Sequence, residues 1–176
     1  MSHNINPVLA CSDISFSEKK TPTFYQIEIS TELKANVDTV WNTLTDYSNL
    51  QSFITNLRQS LILVETRSRK IIEQTGIIRL PVFTKQFKIL LDVQEEYPTR
   101  IKMAQIDGDF DFFKSEYQII PTDYDHVQLT WQGKLLPAFY IPSFIGKAII
   151  NINIKNQFCD LINEVSSRVL AEVGEE

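Results

Sequence analysis

Between Leu61 and Leu135 the chain shows no helical period, and this stretch limits the fold more than any other feature. Apolar side chains instead recur at every second position in short runs, and each run ends in turn chemistry. The runs are Leu61 to Glu65, Lys70 to Leu80, Val82 to Glu95, Ile101 to Asp107, Phe112 to Ile120 and Val127 to Leu135. Between them lie the Arg67-Ser68-Arg69-Lys70 segment, Pro81, Tyr97-Pro98-Thr99, Asp107-Gly108-Asp109 and the Pro121-to-His126 stretch. Strands joined by turns this short pair antiparallel, so the segment predicts a meander. An earlier run, Phe24 to Ser30, alternates Tyr25, Ile27 and Ile29 with polar residues and brings the expectation to about seven strands.

Helical spacing occurs on either side of the meander. After Asn36, a cap residue, Val37, Val40, Trp41 and Leu44 repeat as one helical face, with Asp38 in the first turn where the helix dipole favours an anion. Ser48 and Gln51 have capping-box spacing ahead of Phe53, Ile54 and Leu57, which predicts a second short helix. The segment from Leu135 to Pro142 is apolar but interrupted by Pro137 and Pro142, so it reads as a hydrophobic loop. From Ser143 to about Val173 the spacing of Phe158, Ile162, Val165, Val169 and Val173 predicts one long helix. Thirty helical residues span about 45 Å, enough to cross a whole sheet. Ile150 to Ile154 also alternates with period two, yet Ile145, Ala148, Ile149 and Ile152 fit a helical face, and helix is the reading adopted.

The expected fold is therefore α+β. Residues 1–22 read as a polar leader without ordered structure, 23–173 as the folded domain and 174–176 as a tail. A net charge of -5 and the absence of a basic patch exclude nucleic acid as a partner, and the Arg67-to-Lys70 cluster reads as a solvated turn. Two distant cysteines, Cys11 and Cys159, form no disulfide framework, and Cys159 is expected as a buried, inert thiol. Two isolated histidines, His3 and His126, do not suggest a metal site, and no cofactor motif is present. The leader has neither a basic nor an apolar signal segment, which points to the cytoplasm, although Val8-Leu9-Ala10-Cys11 has the form of a lipoprotein cleavage box and would place the chain outside it.

The order strand, two short helices, meander, proline-bounded apolar loop and long final helix resembles the START-like superfamily, which includes the birch pollen allergen. Ala35-Asn36-Val37-Asp38-Thr39-Val40-Trp41 through Leu44, Asp46, Tyr47 and Phe53 is similar to that family's opening wording. The region from Leu136-Pro137 to Ile154 is similar to its polyketide cyclase/dehydrase and coenzyme Q-binding branch. The resemblance covers roughly Phe24 to Ala171 and implies a helix-grip fold, in which the sheet curls around the final helix and leaves a cavity. Its members bind lipids, prenylated quinones, sterols or aromatic polyketides, and only some catalyse a reaction.

If the apolar set of each strand lines the concave face, Gln74, Phe87, Met103, Gln105, Tyr117 and Trp131 point inward, and Ile149 faces them from the helix. Gln74, Gln105, Ser115 and Tyr117 are polar exceptions that need partners: either a ligand and bound water, or one another. Phe139, Tyr140 and Phe144 read as packing over the open end, as a lid, or as a surface for transient membrane contact. No nucleophile with an adjacent base is visible, so no residue is assigned as catalytic. The first expectation is a non-catalytic carrier of a hydrophobic small molecule. The alternatives are a cyclase or dehydratase using Tyr117, Gln105 and Gln74, and a protein-interaction module using the apolar 137–144 loop.

Overall fold

In a computed structural model of the chain, which describes Cys11 and residues 14–20, 24–79 and 83–174, the alternating runs become strands of one antiparallel sheet. The elements in chain order are β1 (Ser15–Lys20), β2 (Tyr25–Leu33), α1 (Val37–Leu44), α2 (Leu50–Phe53), β3 (Leu57–Glu65), β4 (Arg69–Arg79), β5 (Thr84–Glu96), β6 (Arg100–Gly108), β7 (Phe110–Asp123), β8 (His126–Pro137) and α3 (Ser143–Gly174). Across the sheet the order is β1-β2-β8-β7-β6-β5-β4-β3. Six consecutive strands thus form the meander, and β2 closes onto the last of them. This is the α+β helix-grip architecture, with eight strands where about seven are expected from the sequence.

Alternation fixes which face of each strand is buried. In β2, Tyr25, Ile27, Ile29 and Leu33 point inward while Gln26, Glu28 and Glu32 stay exposed, and in β8 Val127, Leu129, Trp131 and Leu135 do the same. The helix α1 starts where Asn36 Oδ1 accepts from the Thr39 N–H at 2.7 Å, satisfying a first-turn donor. The Ser48–Gln51 capping box does not form. Gln51 Nε2 instead donates to the Ser48 carbonyl at 2.6 Å, because α2 has only four residues and begins after Asn49. The ambiguous Ile150-to-Ile154 stretch lies wholly within α3.

Three expectations are corrected. Ser15–Lys20, placed in the structureless leader, is an edge strand that pairs antiparallel with β2 from Ser15 opposite Ser30 to Lys20 opposite Tyr25. Residues 1–10, 12–13 and 21–22 of that leader lie outside the described residues. Cys11 and Cys159 are joined as a disulfide, with their Cα atoms 5.5 Å apart, so Cys159 is not a free thiol. Lys70 does not sit in a solvated turn. It is buried in β4, and its Nζ meets both Glu95 carboxylate oxygens, at 2.9 and 2.8 Å. The turn is confined to the residues before β4, and Arg69 pairs with Asp92 across to β5.

The helix α3 is fastened along two stretches. Lys147, Asn151, Lys155 and Cys159 recur every four residues and form one stripe, which lies against the N-terminal segment. There Glu18 meets Lys147 at 3.6 Å and hydrogen-bonds with Asn151, Lys155 lies 4.2 Å from the Phe16 ring centre, and Cys159 takes the disulfide. Farther along, Asp160 accepts from the Thr55 N–H at 2.8 Å, Arg168 meets Asp46 at 2.7 Å, and Glu172 accepts from the Thr39 hydroxyl at 2.7 Å. These contacts tie the second half of α3 to the α1–α2 corner.

Candidate functional site

Between the sheet's concave face and α3 lies a partly enclosed cavity of about 160 Å³. Its sheet wall comes from the inward positions of β4 to β8, and its end wall from Leu44, Leu50, Ile54 and Leu57 around the α1–α2 corner. Ile150, Asn153, Ile154, Gln157, Phe158 and Leu161 supply the helix wall. Their three- and four-residue spacing places them on a single face of α3.

Two glycines make room for aromatic walls. Gly76 lies opposite Phe87 in the β4–β5 register, and a Cβ there would sit 2.6 Å from Phe87 Cζ, so the ring can lie flat over bare backbone. Gly133 does the same for the Trp131 indole two residues earlier on the same face of β8. Phe110 then packs edge-on against Phe87, Phe113 and Phe139, at centroid distances of 5.5, 5.9 and 6.1 Å, which gathers a cluster of edge-to-face rings at the wall.

The lining is apolar except for Gln74, Ser115, Tyr117, Asn153 and Gln157, and none of these carries a charge. Gln74 Nε2 donates to Ser60 Oγ at 3.3 Å. Asn153 donates to the Ile149 carbonyl at 2.8 Å and accepts from Asn56 Nδ2 at 3.2 Å. The other three are not engaged by any described residue. Ser115 Oγ is buried without a hydrogen-bond partner, and no hydrogen bond within the described residues engages the Tyr117 hydroxyl or the Gln157 amide. Burial pushes the Tyr117 phenol above its usual range, so it remains a proton-bearing donor.

Beside the cavity, the Tyr47 hydroxyl donates to Glu95 Oε1 at 2.8 Å, and Glu95 also holds Lys70. Burial first, then the Glu95 carboxylate and the neighbouring Tyr117, push the Tyr47 hydroxyl far above its ordinary range. The buried charges of Lys70 and Glu95 cancel each other.

Of the nine residues named from the sequence, Gln74, Phe87, Met103, Tyr117 and Trp131 line the cavity. The other four do not. Gln105 Nε2 turns away to the Phe110 carbonyl at 2.6 Å. Ile149 is buried with Ile78 in a small satellite cluster, against which Phe139 packs. Phe144, 86% exposed on the first turn of α3, faces solvent, as does Tyr140 at 80%. Trp41 is core and packs edge-on against Tyr97, while Phe53 lies under the Arg168 guanidinium. Asn153 and Gln157 were missed because polar side chains on an apolar helix face carry no periodic signal. Their spacing relative to Ile150 and Ile154 is the one mark that could have found them.

Among the described residues no helix is long and apolar enough to cross a membrane. Residues 33–156 match the family model described as "Polyketide cyclase / dehydrase and lipid transport". The fold is similar to that of a STAR-related lipid transfer protein from Xanthomonas axonopodis, with a TM-score of 0.73 at 14% identity over 88% of this chain and 94% of that one. It is also similar to the Zhui aromatase/cyclase from Streptomyces sp. R1128, with a TM-score of 0.71 at 13% identity over 83% and 96% of the two chains. A START superfamily protein from Mycobacterium smegmatis aligns with a TM-score of 0.67 at 15% identity over 81% and 97%. No curated protein matches the sequence.

Proposed function

We propose that this chain, which belongs to the polyketide cyclase/dehydrase and lipid transport family, holds a hydrophobic small molecule between its sheet and α3 and carries it unchanged. One observation supports this above the rest. The cavity is walled by aromatic and aliphatic side chains, and the three polar groups Ser115, Tyr117 and Gln157 of its lining have no hydrogen-bond partner among the described residues. A solid core would have filled the space. A bound molecule fills it and can hydrogen-bond with Tyr117 and Gln157.

Native mass spectrometry of freshly purified protein, followed by organic extraction, tests the reading. A co-purifying apolar molecule of defined mass supports it. An empty extract, together with no rise in melting temperature across a panel of quinones, sterols and lipids, rejects it.

The cyclase or dehydratase reading draws on the unpartnered Tyr117 phenol, which could donate a hydrogen bond to a substrate carbonyl, and on the structural likeness to an aromatase/cyclase. Turnover of an aromatic polyketide mimic that Tyr117→Phe abolishes without loss of binding would replace carriage with catalysis. The exposed Tyr140 and Phe144 are the surface that the expected transient membrane contact would use, and vesicle co-sedimentation with both changed to Ser tests it. The Cys11–Cys159 cross-link favours an oxidising compartment over the cytoplasm. It also competes with a lipid thioether for the same Cys11 sulfur. Thiol counting on protein taken directly from cells separates these fates.

A further inference from the structure

The cavity's chemistry narrows what it can hold, given the carrier reading on which this inference rests. Among the described residues no lining side chain is charged. Lys70, the buried cation among the described residues, is engaged by both oxygens of Glu95, and Arg168 in the second half of α3 is engaged by Asp46 and Glu164. An anionic group carried inside would therefore lose its water and meet no countercharge, and a cationic group would meet no free carboxylate. What the cavity does offer is a phenol at Tyr117 and an amide at Gln157, both neutral and without a hydrogen-bond partner among the described residues, with the unpartnered Ser115 hydroxyl buried in the wall. These groups match a carbonyl or hydroxyl oxygen.

The volume adds a second limit. At about 160 Å³ the space compares with an engineered apolar cavity of about 150 Å³ that admits benzene, so one ring fills it and any longer tail must extend outside it. We infer that the site selects an uncharged, ring-sized head bearing a carbonyl or hydroxyl oxygen, such as a ketone, phenol or quinone ring, and rejects fatty-acid, phospholipid and other ionised heads.

The test uses three single-ring probes on the purified full chain at neutral pH: acetophenone, benzoate and toluene. Acetophenone and benzoate differ only in exchanging a methyl for a charged oxygen. Binding is read by chemical-shift titration and by the fluorescence of Trp131, a wall residue, in a Trp41→Phe background. Acetophenone is expected to bind roughly 100-fold more tightly than benzoate. Changing Tyr117→Phe and Gln157→Leu together should weaken acetophenone about five- to tenfold and leave toluene within about twofold. The hydrocarbon serves as the control for a misfolded wall. Benzoate binding as tightly as acetophenone overturns the charge selection, and equal binding of acetophenone and toluene in the native chain overturns the oxygen recognition. If toluene and acetophenone both fail to bind, the carrier reading itself falls and takes this inference with it.

Discussion

Replacing Lys70 by Met should be among the most destabilising single changes in this protein. The Lys70 side chain is 11% exposed and that of Glu95 is 9% exposed, so the pair sits where water cannot take over from a lost partner. Glu95 receives two hydrogen bonds from Lys70 and one from Tyr47. Without Lys70 it remains a buried carboxylate with a single neutral donor. Removing one member of such a pair costs about 3–5 kcal/mol, whereas replacing the whole group with apolar side chains of similar size is often close to neutral. In a chain of this length that cost lowers the melting temperature by roughly 6–20 °C. The triple change Lys70→Met, Glu95→Met and Tyr47→Phe removes charge and hydroxyl together and should return to within about 1 kcal/mol of the native protein. Urea unfolding followed by far-ultraviolet dichroism measures all of these, with an unchanged slope confirming that the same transition is being compared. A cost below about 1 kcal/mol for Lys70→Met, or a triple variant as unstable as the single one, would refute the reasoning.

Cys159→Ser should cost about 2–4 kcal/mol, because the disulfide closes a loop of 148 residues, and non-reducing peptide mapping of the native chain should recover Cys11 and Cys159 in one linked fragment. Gly76→Val places methyl groups in the Phe87 ring and should cost about 1–3 kcal/mol by overpacking, visible in unfolding and as loss of probe binding. Burial opposes ionisation of Asp46, but hydrogen bonds from Arg168 and Asn49 outweigh it and hold its carboxyl below the ordinary range. Its contribution to stability is therefore present above about pH 4 and lost as pH falls through the lower folded value. Asp46→Asn should make the acid side of the stability profile shallower in that window.

The meander and the start of α1 were legible because they rest on local rules: Tyr25, Ile27 and Ile29 alternate, and Asn36 caps its own helix. β1 was not legible. In Ser-Phe-Ser-Glu-Lys-Lys a single apolar residue faces inward, and the strand is held by backbone pairing and by contacts to α3 that local sequence does not encode. Lys70 was misread for a similar reason, since its burial depends on Glu95, 25 residues farther along the chain. The cavity wall was legible on the strands, where parity decides facing. It was not legible for Gln105, which keeps the right parity but spends its amide on the Phe110 carbonyl.

The fastenings along α3 have a mechanical consequence. A guest cannot be loaded by swinging the rod outward like a gate, since that motion would tear Lys155 from Phe16, Asp160 from Thr55 and Arg168 from Asp46 in a single stroke. The other extremity is moored as well, where the Ala138 N–H donates to the Asp109 carbonyl at 3.1 Å and Phe139 and Ile141 pack against Ile78 and Ile149, so exchange of a guest calls for yielding of individual wall side chains rather than travel of the whole rod.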